Sequence, residues 1–169
     1  LSLVLTFIFL GSVAFANHRH HGTAHDRKTK PLTDGKIAYI MSKANKGEIA
    51  MADAVKHRLE HKEVKEFAMM MIEEHTKNEE EAVMLLKKEG ILKSENKKGL
   101  KLDKKAMIKI DMLKGKSGKD LDLAYITSQV EVHEMLLKKL DEYFIPKAQN
   151  ANFKAFLEKT RSHVAHHLE

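Results

Sequence analysis

The 169-residue chain has no cysteine, no tryptophan, two prolines, eight glycines and 6 % aromatic residues. Without cysteine there can be no disulfide scaffold, thiolate zinc site, iron–sulfur cluster, cysteine nucleophile or lipidated N-terminal cysteine. Any metal must be held by histidine, carboxylate or methionine. So few prolines and glycines leave too little turn chemistry for a β-sandwich, and 43 % hydrophobic residues are too many for a compositionally disordered chain. An all-helical domain is the expected class, and the length allows one such domain with a real core.

Glycine-rich phosphate loops, the Gly-x-Ser-x-Gly elbow and the His-Glu-x-x-His zinc motif are all missing, so no catalytic motif is legible. Glu-x-x-His is also missing, which argues against a ferritin-type dinuclear carboxylate site.

Residues 1–16 form an almost unbroken apolar run ending in Ala14-Phe15-Ala16, the small-x-small pattern of a signal-peptidase site. They are expected to be a signal peptide, shorter than the roughly 20 residues a membrane span needs. Residues 17–33 follow as a tail with His18, His20, His21 and His25, which lacks helical or strand periodicity and whose imidazoles are candidates for metal capture.

The domain is expected over residues 34–169. Ile37, Met41, Ala44, Glu48, Met51 and Val55 mark one helix face, and Val64, Ala68, Met71, His75, Asn78, Ala82 and Leu85 a second, with Gly90 placed as a C-terminal cap. A tight turn near Glu60 separates them, so they should pair antiparallel. Leu123, Ile126, Val130, His133, Leu137, Leu140 and Phe144 describe a third helix, closed by Pro146, and Phe153, Leu157, Thr160, Val164 and His167 a fourth. Two helical hairpins joined by one long connection make a four-helix bundle. That connection, Lys93 to Lys119, holds ten lysines against Glu95, Asp103 and Asp111, a net of +7 in a chain whose total is +6. A short helix near Asp103 to Leu113 is expected within it, and the segment is a candidate for binding an anionic envelope surface. Nucleic acid is a poor match for it, since arginine clusters and interleaved aromatics are lacking.

Bundle faces are normally apolar, so polar residues that fall on them are informative. Glu48 and His75 lie about thirteen and fourteen residues either side of the first turn, and His133 and His163 lie similarly about the second. With both turns at one end of an up-down-up-down bundle, all four would share a level, at about 1.5 Å of rise per residue. His167 is one turn from His163, and Glu74, Glu79, Asp122 and Gln129 are nearby candidates. Buried ionisable groups need partners or a metal. The imidazole-rich set suits zinc, copper or mononuclear iron better than magnesium or calcium. A hydrogen-bonded polar layer that fixes helix register is the other reading of the same residues. Nine methionines include Met51 and Met71 on apolar stripes, where packing is the expected role.

Glu48-Ile49, Val64 to Ala68 with Glu74-His75-Thr76-Lys77-Asn78, Leu121 to Ile126, Gln129-Val130, His133 and His167-Leu168 together resemble a bacterial family. It is the ferritin-like domain-of-unknown-function family numbered 4142, often labelled predicted outer-membrane protein. The resemblance covers roughly residues 36–169 and implies a ferritin-like four-helix bundle on an exported protein of the periplasm or outer membrane. It carries over Glu48, His75, Asn78, Asp122, Tyr125, Gln129, His133 and His167, and favours His167 over His163, although Ser162 stands where the family usually has proline. The functional expectation is therefore a transition metal held at mid-bundle by Glu48, His75, His133 and His167 or His163, for storage, sensing or stress protection. Asn78, Asp122, Tyr125 and Gln129 are expected to surround it and orient the ligands. The alternative is a metal-free envelope module that uses the basic connection to hold an anionic partner.

Overall fold

The computed structural model describes residues 31–169, which form one compact unit. The expected signal peptide and most of the histidine tail, His18 to His25 included, lie outside the described residues. Among the described residues every regular element is helical.

Helices α1 (Asp34–Val55) and α2 (Lys62–Lys88) form the first hairpin. Helix α2 stops where expected. Gly90 takes φ +65°, and the Ile91 N–H reaches back to the Leu86 carbonyl at 2.9 Å, closing the helix end in the left-handed conformation glycine adopts most easily. The second hairpin is α4 (Gly118–Lys139) with α6 (Ala151–His166). Pro146 does not close α4 directly. The helix widens into a π-helical turn (Leu140–Phe144) and runs on through the short α5 (Ile145–Lys147). The π turn shifts the hydrogen-bond register just before the residue that has no N–H to donate.

The lysine-dense connection departs most from expectation. It is not a loose segment with a short helix but the 18-residue α3 (Lys97–Lys114), capped by Asn96 Oδ1, which accepts the Gly99 N–H at 3.1 Å. Leu113 is fully buried, and Leu102, Ala106 and Ile110 face the same way, so α3 has an apolar stripe of its own. It lies along α1 and touches α4, with Gly47 meeting Ala106 at a point where a Cβ on the glycine would stand 3.0 Å from the alanine methyl. Lys43–Asp103 (2.9 Å) ties α3 to α1, and Lys109–Glu131 (2.7 Å) ties it to α4.

Because α3 runs back along α1, the two hairpin turns sit at opposite ends of the bundle, not the same end. Two aspartates mark those ends. Asp122, in the second turn of α4, accepts the backbone N–H groups of Glu60 and His61 (3.0 and 2.7 Å) from the α1–α2 turn. Asp34, in the first turn of α1, accepts those of Gln149 and Asn150 (both 2.9 Å) from the turn before α6. Each carboxylate locks the opposite hairpin's turn, and Asp34, in the first turn of α1, is also favoured there by the helix dipole.

The core is split in two. One apolar cluster gathers Ile37, Met41, Leu86, Leu140, Phe144, Phe153 and Leu157, and the other Met51, Val55, Met71, Leu113, Leu121 and Tyr125. Met51 and Met71 pack there as expected. Between the clusters the four helices of the two hairpins change to buried polar residues: Asn45 and Glu48 on α1, His75 on α2, Gln129 and His133 on α4, Thr160 on α6.

Candidate metal centre

The polar belt resolves into two groups. In the first, His75 of α2, His133 of α4 and His167, the residue capping α6, bring one ring nitrogen each to within 4.8 Å of the others. Their ring centroids are 5.0 to 5.7 Å apart. All three imidazoles are buried, His75 and His133 at 4 % and 1 % exposure and the His167 side chain at 2 %.

The partners of the outer nitrogens fix where the protons are. His133 Nδ1 lies 2.8 Å from the Gln129 carbonyl oxygen, which can only accept, so Nδ1 carries the hydrogen and the Nε2 lone pair faces inward. His167 Nε2 lies 2.8 Å from Glu74 Oε2, which leaves the Nδ1 lone pair inward. His75 Nδ1 donates to Asn45 Oδ1 at 3.1 Å, so Nε2 carries the lone pair, and it is buried without a partner. Three imidazole lone pairs thus converge. His133 Nε2 and His167 Nδ1 face each other at 3.0 Å, an arrangement that repels unless a cation serves both. Each ring has its other nitrogen held by a carbonyl, carboxylate or amide, the pattern that orients histidines at metal sites.

Burial, and then the charges of the neighbouring imidazoles, hold His75 down to about 3. Burial also lowers His133, to about 4, against the pull of the Gln129 carbonyl. Both rings are therefore neutral, the form that binds metal. Burial alone would raise the Glu74 carboxyl, but hydrogen bonds and charge from His167 and His163 outweigh it and hold it low. A cleft of about 220 Å³ between α2 and α6 opens onto His75 and His167 and is rimmed by Glu74, Asn78 and His163.

Residues 19–169 match the family described as "Domain of unknown function (DUF4142)". The chain belongs to the DUF4142 family. No curated protein matches it. Among solved structures it is similar to a DUF305 protein from Streptomyces coelicolor, at 14 % identity and a TM-score of 0.66, over 80 % of this chain and 86 % of that one. That likeness speaks for the helical-bundle fold.

The second polar group of this DUF4142 domain lies toward the α1–α2 turn. Glu48, expected among the ligands, stands here with Gln129 and Tyr125, apart from the three histidines. Only seven residues separate Glu48 from the end of α1, whereas His75 is thirteen into α2, so Glu48 falls short of the histidine level. Its carboxyl is pushed up to about 7 by burial, with the neighbouring Gln129 amide and the Lys109 ammonium pulling it back down. Tyr125 is fully buried, edge-on to Phe67, and its hydroxyl is raised by burial and by Glu48. Glu48 Oε2, the Tyr125 hydroxyl and both amide atoms of Gln129 have no hydrogen-bond partner.

Asn78 donates to Thr160 at 2.9 Å and accepts from Asn45, so it supports His75 through an intermediary. Gln129 reaches the site through its backbone carbonyl, not its side chain. Asp122 clamps the α1–α2 turn, far from the histidines along α4. His163 is half exposed, 3.6 Å from Glu74, while His167, one turn further along α6, is the residue that meets His133. Asn45 is the functional residue that the periodicity left unmarked. It lies three residues before Glu48 on the same face, and its amide type alone gave no ligand signal.

Proposed function

We propose that this DUF4142 domain binds one transition-metal ion through His75 Nε2, His133 Nε2 and His167 Nδ1, with a remaining coordination position turned toward the cleft. The observation that carries the reading is the convergence of three outward-anchored imidazoles whose lone pairs point at one another. A proton can reconcile two of them; a metal ion serves all three. Three neutral imidazoles suit zinc or copper, with iron a weaker match, and an open fourth position leaves room for water or a small ligand. Metal–nitrogen bonds of about 2.0–2.1 Å at tetrahedral angles set ligand nitrogens about 3.3 Å apart, so His133 Nε2 and His167 Nδ1, at 3.0 Å, already have nearly that spacing and His75 Nε2 is the ligand that would move inward. Export, to the periplasm or the outer membrane, is supported by the apolar run over residues 1–16 and by the naming of the DUF305 neighbour as secreted. A role in holding or sensing metal outside the cytoplasm follows from the two together.

One observation favours a second reading. The 3.0 Å contact between His133 and His167 has hydrogen-bond length, so the layer would hold without metal if one proton were shared. Elemental analysis of the domain from Pro31 to Glu169, which lacks His18 to His25, after loading with zinc, copper or iron, separates the two. Near one ion per chain, lost in a His75→Ala, His133→Ala double variant, supports the metal site. No retained metal leaves the protonated layer, and metal retained only when the tail is present moves the chemistry outside the bundle.

A further inference from the structure

Helix α3 has two apolar faces, and only one is used. Leu102, Ala106, Ile110 and Leu113 face α1 and α4. On the opposite side Leu100, Met107, Ile108 and Met112 are 39 %, 62 %, 69 % and 44 % exposed, and Leu123 of α4, at 69 %, continues the patch across a shallow depression that it shares with Met112. At 100° per residue, Ile108 projects between Lys97, Lys101 and Lys104 on that outer face, with Met107 and Met112 flanking it. On the inward side the charges of α3 are paired, Asp103 with Lys43 of α1 and Lys109 with Glu131 of α4. Among the described residues no carboxylate forms an ion pair with Lys97, Lys101 or Lys104.

We propose that the outer face of α3 is a docking surface for an anionic lipid bilayer, on which the helix lies flat with Ile108, Met107 and Met112 entering the headgroup boundary. Isolated exposed apolar residues are ordinary, but a cluster of large ones on a single helix face marks an interaction surface. Unpaired lysines around it select the partner. Their aliphatic stems lie along the acyl boundary while the ammonium groups reach the phosphates, the arrangement of an interfacial amphipathic helix. A second copy of this chain would bring the same positive charge against itself, and a nucleic acid would leave the apolar side chains without a partner. The surface does not involve the histidine cleft between α2 and α6, so it stands or falls independently of the metal reading.

Co-sedimentation of the compact unit from Pro31 to Glu169 with vesicles tests this, and leaves the apolar leader out of the readout. Binding is expected to vesicles containing phosphatidylglycerol, not to pure phosphatidylcholine, and to fall as salt screens the charge. A Lys97→Gln, Lys101→Gln, Lys104→Gln variant should bind about a hundredfold more weakly, at about fivefold per lysine. A Met107→Ser, Ile108→Ser, Met112→Ser variant should lose about tenfold or more. These positions face solvent, so helical circular dichroism and thermal midpoint should stay unchanged in both variants. Retention that neither variant reduces would overturn the proposal, as would no retention at all. Concentration-dependent dimerisation abolished by the serine variant, without vesicle binding, would assign the face to a second copy instead.

Discussion

The histidine layer and the Glu48 layer are neighbours in the same bundle, equally buried and both polar, yet only the first brings three ligand-type atoms within 4.8 Å of one another. In the histidine layer every outer nitrogen is anchored, by Gln129, Glu74 and Asn45, and what remains is a set of lone pairs aimed at a common point beside an open cleft. In the Glu48 layer the carboxyl, the Tyr125 hydroxyl and the Gln129 amide leave four polar atoms without a hydrogen-bond partner among the described residues. Buried polarity therefore does not make a site. Anchored orientation does, because a ligand atom whose other side is fixed arrives with its geometry already set.

Acid titration should show the contrast most strongly. His75 and His133 are held at about 3 and about 4, against about 6.5 in an unfolded chain. As pH falls below about 6.5 the unfolded state takes up protons that the native state refuses, so metal-free stability drops by up to about 1.4 kcal/mol per pH unit for each histidine. Glu48, raised to about 7, works the other way: its stabilisation is complete below about 4.5 and is lost as pH rises to about 7. Between about pH 4.5 and 6.5 two histidines outweigh one carboxyl, and urea unfolding should show stability increasing with pH. A flat or falling curve would mean that the histidine layer is already charged.

Glu48→Gln isolates the second layer. At pH 8 it removes a charge that burial opposes and should raise stability by about 2 to 3 kcal/mol, while at pH 4 the gain should vanish and metal content should not change at either pH. Loss of metal in this variant would merge the two layers into one site.

The turn clamps provide a third comparison. Asp122→Ala should lower stability by about 1 to 2 kcal/mol, through the loss of acceptors for Glu60 and His61, with the metal retained. Asp34→Ala should match it at the other end of the bundle. A selective loss of metal in Asp122→Ala would place that residue in the site after all.

The smallest effect is expected at His163. Its replacement by alanine should change stability by no more than about 0.5 kcal/mol and leave metal bound, because His163 is half exposed and its contact with Glu74 is duplicated by His167. The same substitution at His167 should abolish binding.

How much of the site was legible differs by residue. His75 and His133 could be found from sequence because each interrupts an apolar stripe at helical spacing, a local property. His167 could not be separated from His163 by spacing alone, since residues four apart share a helix face. The family resemblance favoured His167, and the depth of α6 in the bundle agrees. Glu48 gave the same signal as the histidines and stands elsewhere, because spacing within a helix fixes the face but not the height relative to other helices. Asn45 gave no signal, since an amide on an inner face differs from any buried hydrogen-bonding residue only through its partner.

For this protein, composition and periodicity determined the helices, their inner faces, the end of α2 at Gly90 and the polar interruption at mid-bundle, because those follow from contacts within a few residues. Only the tertiary structure decided that α3 is a helix packed along α1, that the two hairpin turns lie at opposite ends, and that three imidazoles meet while Glu48 does not. Those outcomes depend on how far one helix slides past another, which is settled by packing between residues distant in the chain.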